Sequence, residues 1–368
     1  MADITRNLTG LLSGTIYEYR ITAIGDGATY VDSDPSAIGS FTTLIPLDVP
    51  TGLTLTKTTD SITASWTAVQ HKSAYKVSYV TGNGSPVVQT VSAESFTLSN
   101  IAQGATYSFQ VMAVGDGTTY EDSAYCTAVS STTLIKLGTP QPTVDSTTSQ
   151  VSVEWPAITH ADGYKVWYKT GTGTYGNAID VGTDRSYVVP GLQEGVTITF
   201  KIQAYSNSST IYEDSEFSAE VSETTQITLA VPTFTLTKTT NSITATWSTV
   251  PNAASYVVAY KLNSSSGDFT EVAVNDRTSY TLSELGEGVT YVFKLKSISN
   301  VQDYVDSAYS NTQSTTTLVT LATPSSITVT DITSNSAVIN FLGDSNAQSF
   351  RLEYRRKGET EWTSLNGD

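Results

Sequence analysis

The chain repeats itself, and no other property restricts its fold as tightly. The string Ser61-Ile-Thr-Ala-Ser-Trp66 returns as Gln150-Val-Ser-Val-Glu-Trp155 and Ser242-Ile-Thr-Ala-Thr-Trp247, at spacings of 89 and 92 residues. A fourth copy, Ser336-Ala-Val-Ile-Asn-Phe341, carries Phe in place of Trp. A fixed period means one folding unit strung in series. Within each copy polar and apolar residues alternate, the two-residue period of a half-buried strand.

Two further families of strings keep the same period. About nine residues after each aromatic come Tyr75-Lys-Val-Ser-Tyr79, Tyr164-Lys-Val-Trp-Tyr168, Tyr256-Val-Val-Ala-Tyr260 and Phe350-Arg-Leu-Glu-Tyr354. Later in the period come Gly14-Thr-Ile-Tyr17, Gly104-Ala-Thr-Tyr107, Gly195-Val-Thr-Ile198 and Gly288-Val-Thr-Tyr291, each opening another alternating stretch. Between units run Thr42-Thr-Leu-Ile-Pro-Leu-Asp-Val-Pro50, Thr132-Thr-Leu-Ile-Lys-Leu-Gly-Thr-Pro140, Thr224-Thr-Gln-Ile-Thr-Leu-Ala-Val-Pro232 and Thr316-Thr-Leu-Val-Thr-Leu-Ala-Thr-Pro324. These joints hold no Gly/Ser-rich spacer, and their apolar positions are suited to packing between neighbours, so stiff joints are expected.

Composition agrees and excludes several function classes. Tyr (21) outnumbers Phe (10), and Met (2) is nearly absent, the usage of half-solvated strands. The net charge of −16 argues against nucleic acid, whose binding depends on clustered Lys and Arg, and against anionic membranes. One cysteine, Cys126, leaves no intrachain disulfide, so each unit must be held by its core. The N-terminal residues form no signal peptide, and no run is apolar enough to insert in a membrane.

Short strands separated by turn signals, a large aromatic on an early strand and a Tyr opening a late one predict an all-β chain of tandem seven-stranded immunoglobulin-like sandwiches. On Trp66, Trp155 and Trp247, on the paired tyrosines of the second strand, and on Tyr17, Tyr107 and Tyr291, the chain resembles the fibronectin type III family along its whole length. The resemblance implies that Trp66, Trp155, Trp247 and Phe341 are core residues and that Tyr17, Tyr107 and Tyr291 bond through their hydroxyls to nearby backbone. Ile198 departs from that pattern, so its module should lack the tie and be the softest. The uniform spacing and near-identical joints also resemble repeat arrays of large prokaryotic cell-surface proteins.

The resulting division is 1–45, the C-terminal half of a module (strands E to G); 46–136, 137–228 and 229–320, three intact modules; and 321–368, the N-terminal half of a module (strands A to C′). The two halves are complementary. A half-sandwich of that size exposes a core face and strand edges and needs a partner. Either the residues are a window on a longer array, or the last half of one chain completes the first half of the next in a head-to-tail filament.

The candidate chemistry is an acidic turn in each module, with Asp32, Asp34, Asp122, Asp214 and Asp306 as potential Ca²⁺ ligands. No copy has the Asp-x-Asp-x-Asp-Gly spacing of a dedicated calcium loop, and the favoured reading is that Asp and Ser make the turn by bonding local backbone. No cofactor is expected otherwise. His71 and His160 share one loop position, where the third module has Asn252, and read as polar loop residues. Cys126 aligns with Ser36, Ser218 and Ser310 and reads as a serine substitute. Neither a nucleophile elbow nor a phosphate loop nor a zinc-helix motif occurs, so catalysis is not expected. Trp167 and Trp362 are exposed aromatics; the positions aligned with Trp167 are Ser78, Ala259 and Glu353, which favours a spacer over a binding face. The reading is therefore a non-catalytic structural rod, stalk or filament at a prokaryotic cell surface. The alternative is an adhesive array binding glycan or protein through loops or a sheet face.

Overall fold

The alternation seen in the repeat is what divides each strand into a core side and a solvent side. In Ser61–Ser65, Ile62 and Ala64 are fully buried while Ser61, Thr63 and Ser65 stay half exposed. On the wet side Thr63 and Thr97 share a hydroxyl hydrogen bond of 2.8 Å across the strand pair, so the polar face is stitched as well as solvated.

The computed structural model describes residues 3–275 and 277–367; Met1 and Ala2 of the first half-module, Asp276, and Asp368 of the last lie outside the described residues. All regular elements among them are strands. They form two compact units, one of Met1–Asp145, Ser152–Val188 and Ile198–Ser222, the other of Ser146–Val151, Val189–Thr197 and Glu223–Asp368.

The first unit holds a complete sandwich of seven strands. One sheet has the order Thr54–Lys57, Ser61–Ser65, Ser95–Ser99; the other has Val129–Thr132, Thr106–Val114, Ala74–Thr81, Val87–Val91. Their facing sides meet in a core of Ile62, Ala64, Trp66, Tyr75, Val77, Phe109, Val111 and Ala113. The register Tyr75↔Ala113, Val77↔Val111, Tyr79↔Phe109 places alternate residues of both central strands on that core. Each large side chain so buried contributes about 1.5–3 kcal/mol. In the same unit Gly163–Thr170 pairs with Ile179–Gly182 and, from Gly163↔Tyr205 to Thr170↔Ile198, with Thr197–Tyr205.

The second unit repeats the seven-stranded plan. Phe234–Lys238, Ile243–Trp247 and Ser279–Leu282 form one sheet. Thr270–Asn275, Ser255–Leu262, Thr290–Ile298 and Gln313–Thr316 form the other. Phe234, Ile243, Ala245, Trp247, Tyr256, Val258, Phe293 and Leu295 fill its core.

The half-modules fold less completely than the strand letters E to G suggest. In 1–45, Ile16–Tyr19 pairs with Gly39–Thr42, but the segment aligned with Ser95–Ser99 forms no strand among the described residues. In the intact module Ser95–Ser99 pairs with Ser61–Ser65, and this half has no counterpart of Ser61–Ser65. For the same reason the strand from Ile16 runs four residues, whereas its counterpart Thr106–Val114 runs nine and is flanked by Ala74–Thr81. In 321–368 two hairpin-like pairs form, Ser325–Thr330 with Val338–Leu342 and Phe350–Tyr354 with Thr363–Gly367. Phe341 stands edge-on to Phe350 at 5.1 Å, the contact that Trp makes with Tyr in the intact modules.

That contact carries a hydrogen bond the strand strings do not advertise. Tyr75 packs edge-on to Trp66 at 5.2 Å, and its hydroxyl accepts the Val69 N–H at 2.8 Å in a buried setting. Replacing Tyr75 with Phe keeps the ring and orphans the Val69 N–H, a cost of about 1–2 kcal/mol. Hydrogen exchange at the Val69 amide should accelerate roughly tenfold in Tyr75→Phe; unchanged protection would show that the hydroxyl contributes nothing there.

Candidate functional site

The linkers and the turns they reach form the most specific recurring arrangement. In the first unit the Ile45 N–H donates to the Thr119 carbonyl at 3.0 Å and the Leu47 N–H to the Glu121 carbonyl at 3.1 Å. One module further on, Ile135 donates to Ile211 and Leu137 to Glu213, both at 2.9 Å. In the second unit Ile227 donates to Asp303 at 2.9 Å and Leu229 to Val305 at 3.0 Å. Each is a two-residue parallel bridge: Ile45–Pro46 with Tyr120–Glu121, Ile135–Lys136 with Tyr212–Glu213, Ile227–Thr228 with Tyr304–Val305.

The residue between the two donors turns the other way, toward its own module. Lys136 donates its N–H to the Gln103 side chain at 2.9 Å, Thr228 to Glu194 at 3.1 Å, and Thr320 to Glu287 at 2.9 Å. Pro46 has no N–H to give, and Ser13 stands where the other copies have Gln or Glu. A linker is thus bonded backward through its middle residue and forward through the residues on either side. Leu47, Leu137 and Leu229 are buried at 7, 4 and 4% exposure. Lys136 adds ion pairs to Glu213 (3.2 Å) and Glu216 (2.6 Å), which hold the lysine pKa up and the Glu216 pKa down. At this exposed position they add little to stability.

The acidic turns proposed from sequence are the receiving ends of these bridges. Asp116 accepts the backbone N–H groups of Thr118, Thr119 and Tyr120 at 2.8, 2.6 and 2.8 Å, and Asp26 does the same with Ala28, Thr29 and Tyr30 at 2.9, 2.7 and 2.9 Å. Three donors aimed at one carboxylate favour its charged form, so both pKa values fall, that of Asp26 to about 2. Four of the five candidate ligands brace the start of the turn: Asp32 accepts from Gly25 (2.9 Å), Asp122 from Gly115 (2.9 Å), Asp214 from Ser206 (3.2 Å) and Asp306 from Ser299 (2.9 Å). At Asp34 the backbone carbonyl accepts the Ser33 hydroxyl at 3.0 Å. Among the described residues no three His, Cys, Asp or Glu side chains gather as a metal-binding group would.

His71 and His160 have a contact that their loop position conceals. His71 stacks on Tyr120 at 4.7 Å and 5°, and His160 on Tyr212 at 4.9 Å and 22°. Both tyrosines belong to the turn that receives the linker. The two histidines and Asn252 share a left-handed backbone, with φ of 62°, 67° and 63°. Asn at the third copy was the available signal for that conformation.

Trp66, Trp155 and Trp247 are buried, each edge-on to the first Tyr of the next strand at 5.2–5.5 Å. The hydroxyl tie occurs at Tyr17, which accepts the Leu12 N–H at 2.9 Å, but at neither Tyr107 nor Tyr291 among the described residues. Tyr75, Tyr164 and Tyr256 make it instead, accepting from Val69, Ile158 and Val250 at 2.8, 2.7 and 2.7 Å. The module of Ile198 therefore keeps a hydroxyl tie through Tyr164, and Ile198 itself is fully buried as an apolar core residue. Cys126 accepts the Val111 N–H on Sγ at 3.3 Å, as Ser218 and Ser310 accept from Ile202 and Leu295 on their hydroxyls at 3.0 Å.

Trp167 belongs to a cluster. The Lys201 ammonium lies 4.2 Å from the Phe217 ring centre, 4.5 Å from Tyr175 and 5.8 Å from Trp167. In the third module Lys294 is held in the same way by Tyr309 (4.1 Å) and Phe269 (4.3 Å). Trp362, in the last half-module, is covered by the Arg355 guanidinium at 4.4 Å.

A family model described as a PBP1-like, fibronectin3-like domain matches residues 53–123. Tenascin of Gallus gallus is 29% identical over 308 residues, which is 80% of this chain and 16% of tenascin. The chain is a tandem array of fibronectin type III repeats. It spans about a sixth of the length of that curated relative. The crystal structure of chicken CNTN1 FN1-FN3 domains aligns at 16% identity over 74% of this chain and 100% of that one, with a TM-score of 0.34.

The bond pattern of these fibronectin type III turns fixes a pH dependence. The folded pKa of Asp26 lies below its ordinary value, so the turn's contribution is fully present above about pH 4 and is lost as pH falls through about 2. An NMR titration should show the Thr29 and Tyr30 amide signals moving with a midpoint near pH 2; a midpoint near 3.8 would mean that the three N–H bonds do not form in solution.

Proposed function

We propose that this is a non-catalytic structural array of the extracellular or cell-surface kind, whose work is to hold sandwiches at fixed spacing as a rod or stalk. The observation that carries the proposal is the linker bonded on both sides, repeated at Ile45–Leu47, Ile135–Leu137 and Ile227–Leu229. A joint of three residues that leaves no free spacer suits transmission of position and tension, and an adhesive tether would need none of it. The likeness to tenascin, together with the absence of any catalytic motif in the sequence, supports the same reading.

The adhesive reading draws on the aromatic cage around Lys201 and Lys294, which recurs in two modules although Trp167 itself does not. Trp and Tyr beside a cation make an amphipathic face of the sort used in recognition. In that reading the joints would set the spacing of binding faces, and the partner would be a surface protein or glycan.

Inserting four Gly/Ser residues between Leu134 and Ile135 separates the two. Single-molecule energy transfer between dyes in 46–134 and 137–228 should give a narrow distance distribution in the parent chain and a several-fold broader one in the insertion variant. A parent distribution already as broad as the variant's would contradict the spacer proposal.

A further inference from the structure

The two half-modules expose the same residue positions that the intact modules bury. Tyr19 and Ile21 align with Phe109 and Val111, which are fully buried, yet they are 48% and 68% exposed. Leu321 aligns with the buried Leu47, Leu137 and Leu229 and is 47% exposed. The turn at Tyr30 and Val31 aligns with Tyr120 and Glu121, to which the first linker is bonded, and both its apolar side chains lie open. So the chain carries a linker with its forward donors unused in any printed bridge, an empty receiving turn, and two halves of one core.

We infer that the 321–368 half of one copy and the 1–45 half of a second copy fold together into a complete fibronectin type III sandwich, closed by a fourth linker bridge. The register follows from the intact module, where Tyr79 faces Phe109, Ser78 faces Gln110 and Val80 faces Ser108. The equivalent pairs are Tyr354 with Tyr19, Glu353 with Arg20, and Arg355 with Glu18. Two opposite-charge pairs therefore fall directly across the new strand pair, at positions that carry no such pair in the template module. That is charge complementarity between two surfaces already matched in apolar pattern. The bridge would place the Val319 N–H on the Thr29 carbonyl and the Leu321 N–H on the Val31 carbonyl, as Ile45 and Leu47 are placed on Thr119 and Glu121. The occupant is a second copy because the register needs Phe350–Tyr354 as the neighbour of Ile16–Tyr19, and the surface continues the joint that already links the intact modules. This inference rests on the fold and the joint geometry, and holds for a spacer or an adhesive array alike.

The test is sedimentation velocity of the 368-residue chain across a hundredfold concentration range. Association into dimers and longer head-to-tail species is expected. Ile21→Asp places a charge in the new core without touching any intact module, and should abolish association. Arg20→Glu sets two acidic residues opposite each other and should weaken it about fivefold, while Arg20→Glu combined with Glu353→Arg should restore it to within twofold of the parent. A chain that stays monomeric at every concentration overturns the inference. So does association that survives Ile21→Asp, or that ignores both the single and the double charge reversal, since generic apolar adhesion would then be at work.

Discussion

A linker with no slack is the constraint on which the array depends. Its outer N–H groups go forward to the next module's turn, its middle N–H goes back to its own module, and its leucine is buried. The three demands are compatible because successive backbone groups of an extended segment point to opposite sides. Pro46 shows the logic from the other direction: where the middle N–H is missing, so is the Gln or Glu that would accept it. The acidic turn takes its meaning from this. Asp116 fixes three successive N–H groups so that the carbonyls of Thr119 and Glu121 face the incoming strand.

The core of each module is built for repetition. A Trp, a Tyr edge-on to it, and a hydroxyl bond from that Tyr to a buried N–H recur at Trp66, Trp155 and Trp247. The bond spans six residues and closes the loop between two strands, so it is local and survives changes elsewhere in the module. This explains why the late-strand position tolerates Ile198: the hydroxyl that matters is on another strand, and a fully buried isoleucine serves the core as well as a ring.

Much of this was legible in the sequence because it depends on period. Alternation gave the strands, the recurring Trp and Tyr gave the core face, and the absence of Gly/Ser in the linkers gave stiff joints. The partner of the linker was not legible, since a two-residue parallel bridge leaves no alternating pattern and joins residues some 75 positions apart, such as Ile45 and Tyr120. His71 and His160 read as polar loop residues because stacking on Tyr120 and Tyr212 is a tertiary contact without local signature. The hydroxyl tie was assigned to Tyr107 and Tyr291 by family resemblance, while the strand pairing placed Tyr75, Tyr164 and Tyr256 within reach of the buried N–H groups. The aromatic cage around Lys201 was missed because its rings come from three separate segments, of which only Trp167 stands out in alignment.

Residue-level hydrogen exchange at the linker amides tests the doubly bonded joint most directly. Ile135, Leu137, Ile227 and Leu229 should be protected to within about tenfold of core amides such as Val111, and Lys136 and Thr228 should be protected with them. Exchange of these six amides at the rate of an unstructured chain, beside a protected core, would contradict a fixed joint and leave the modules as beads on a flexible string.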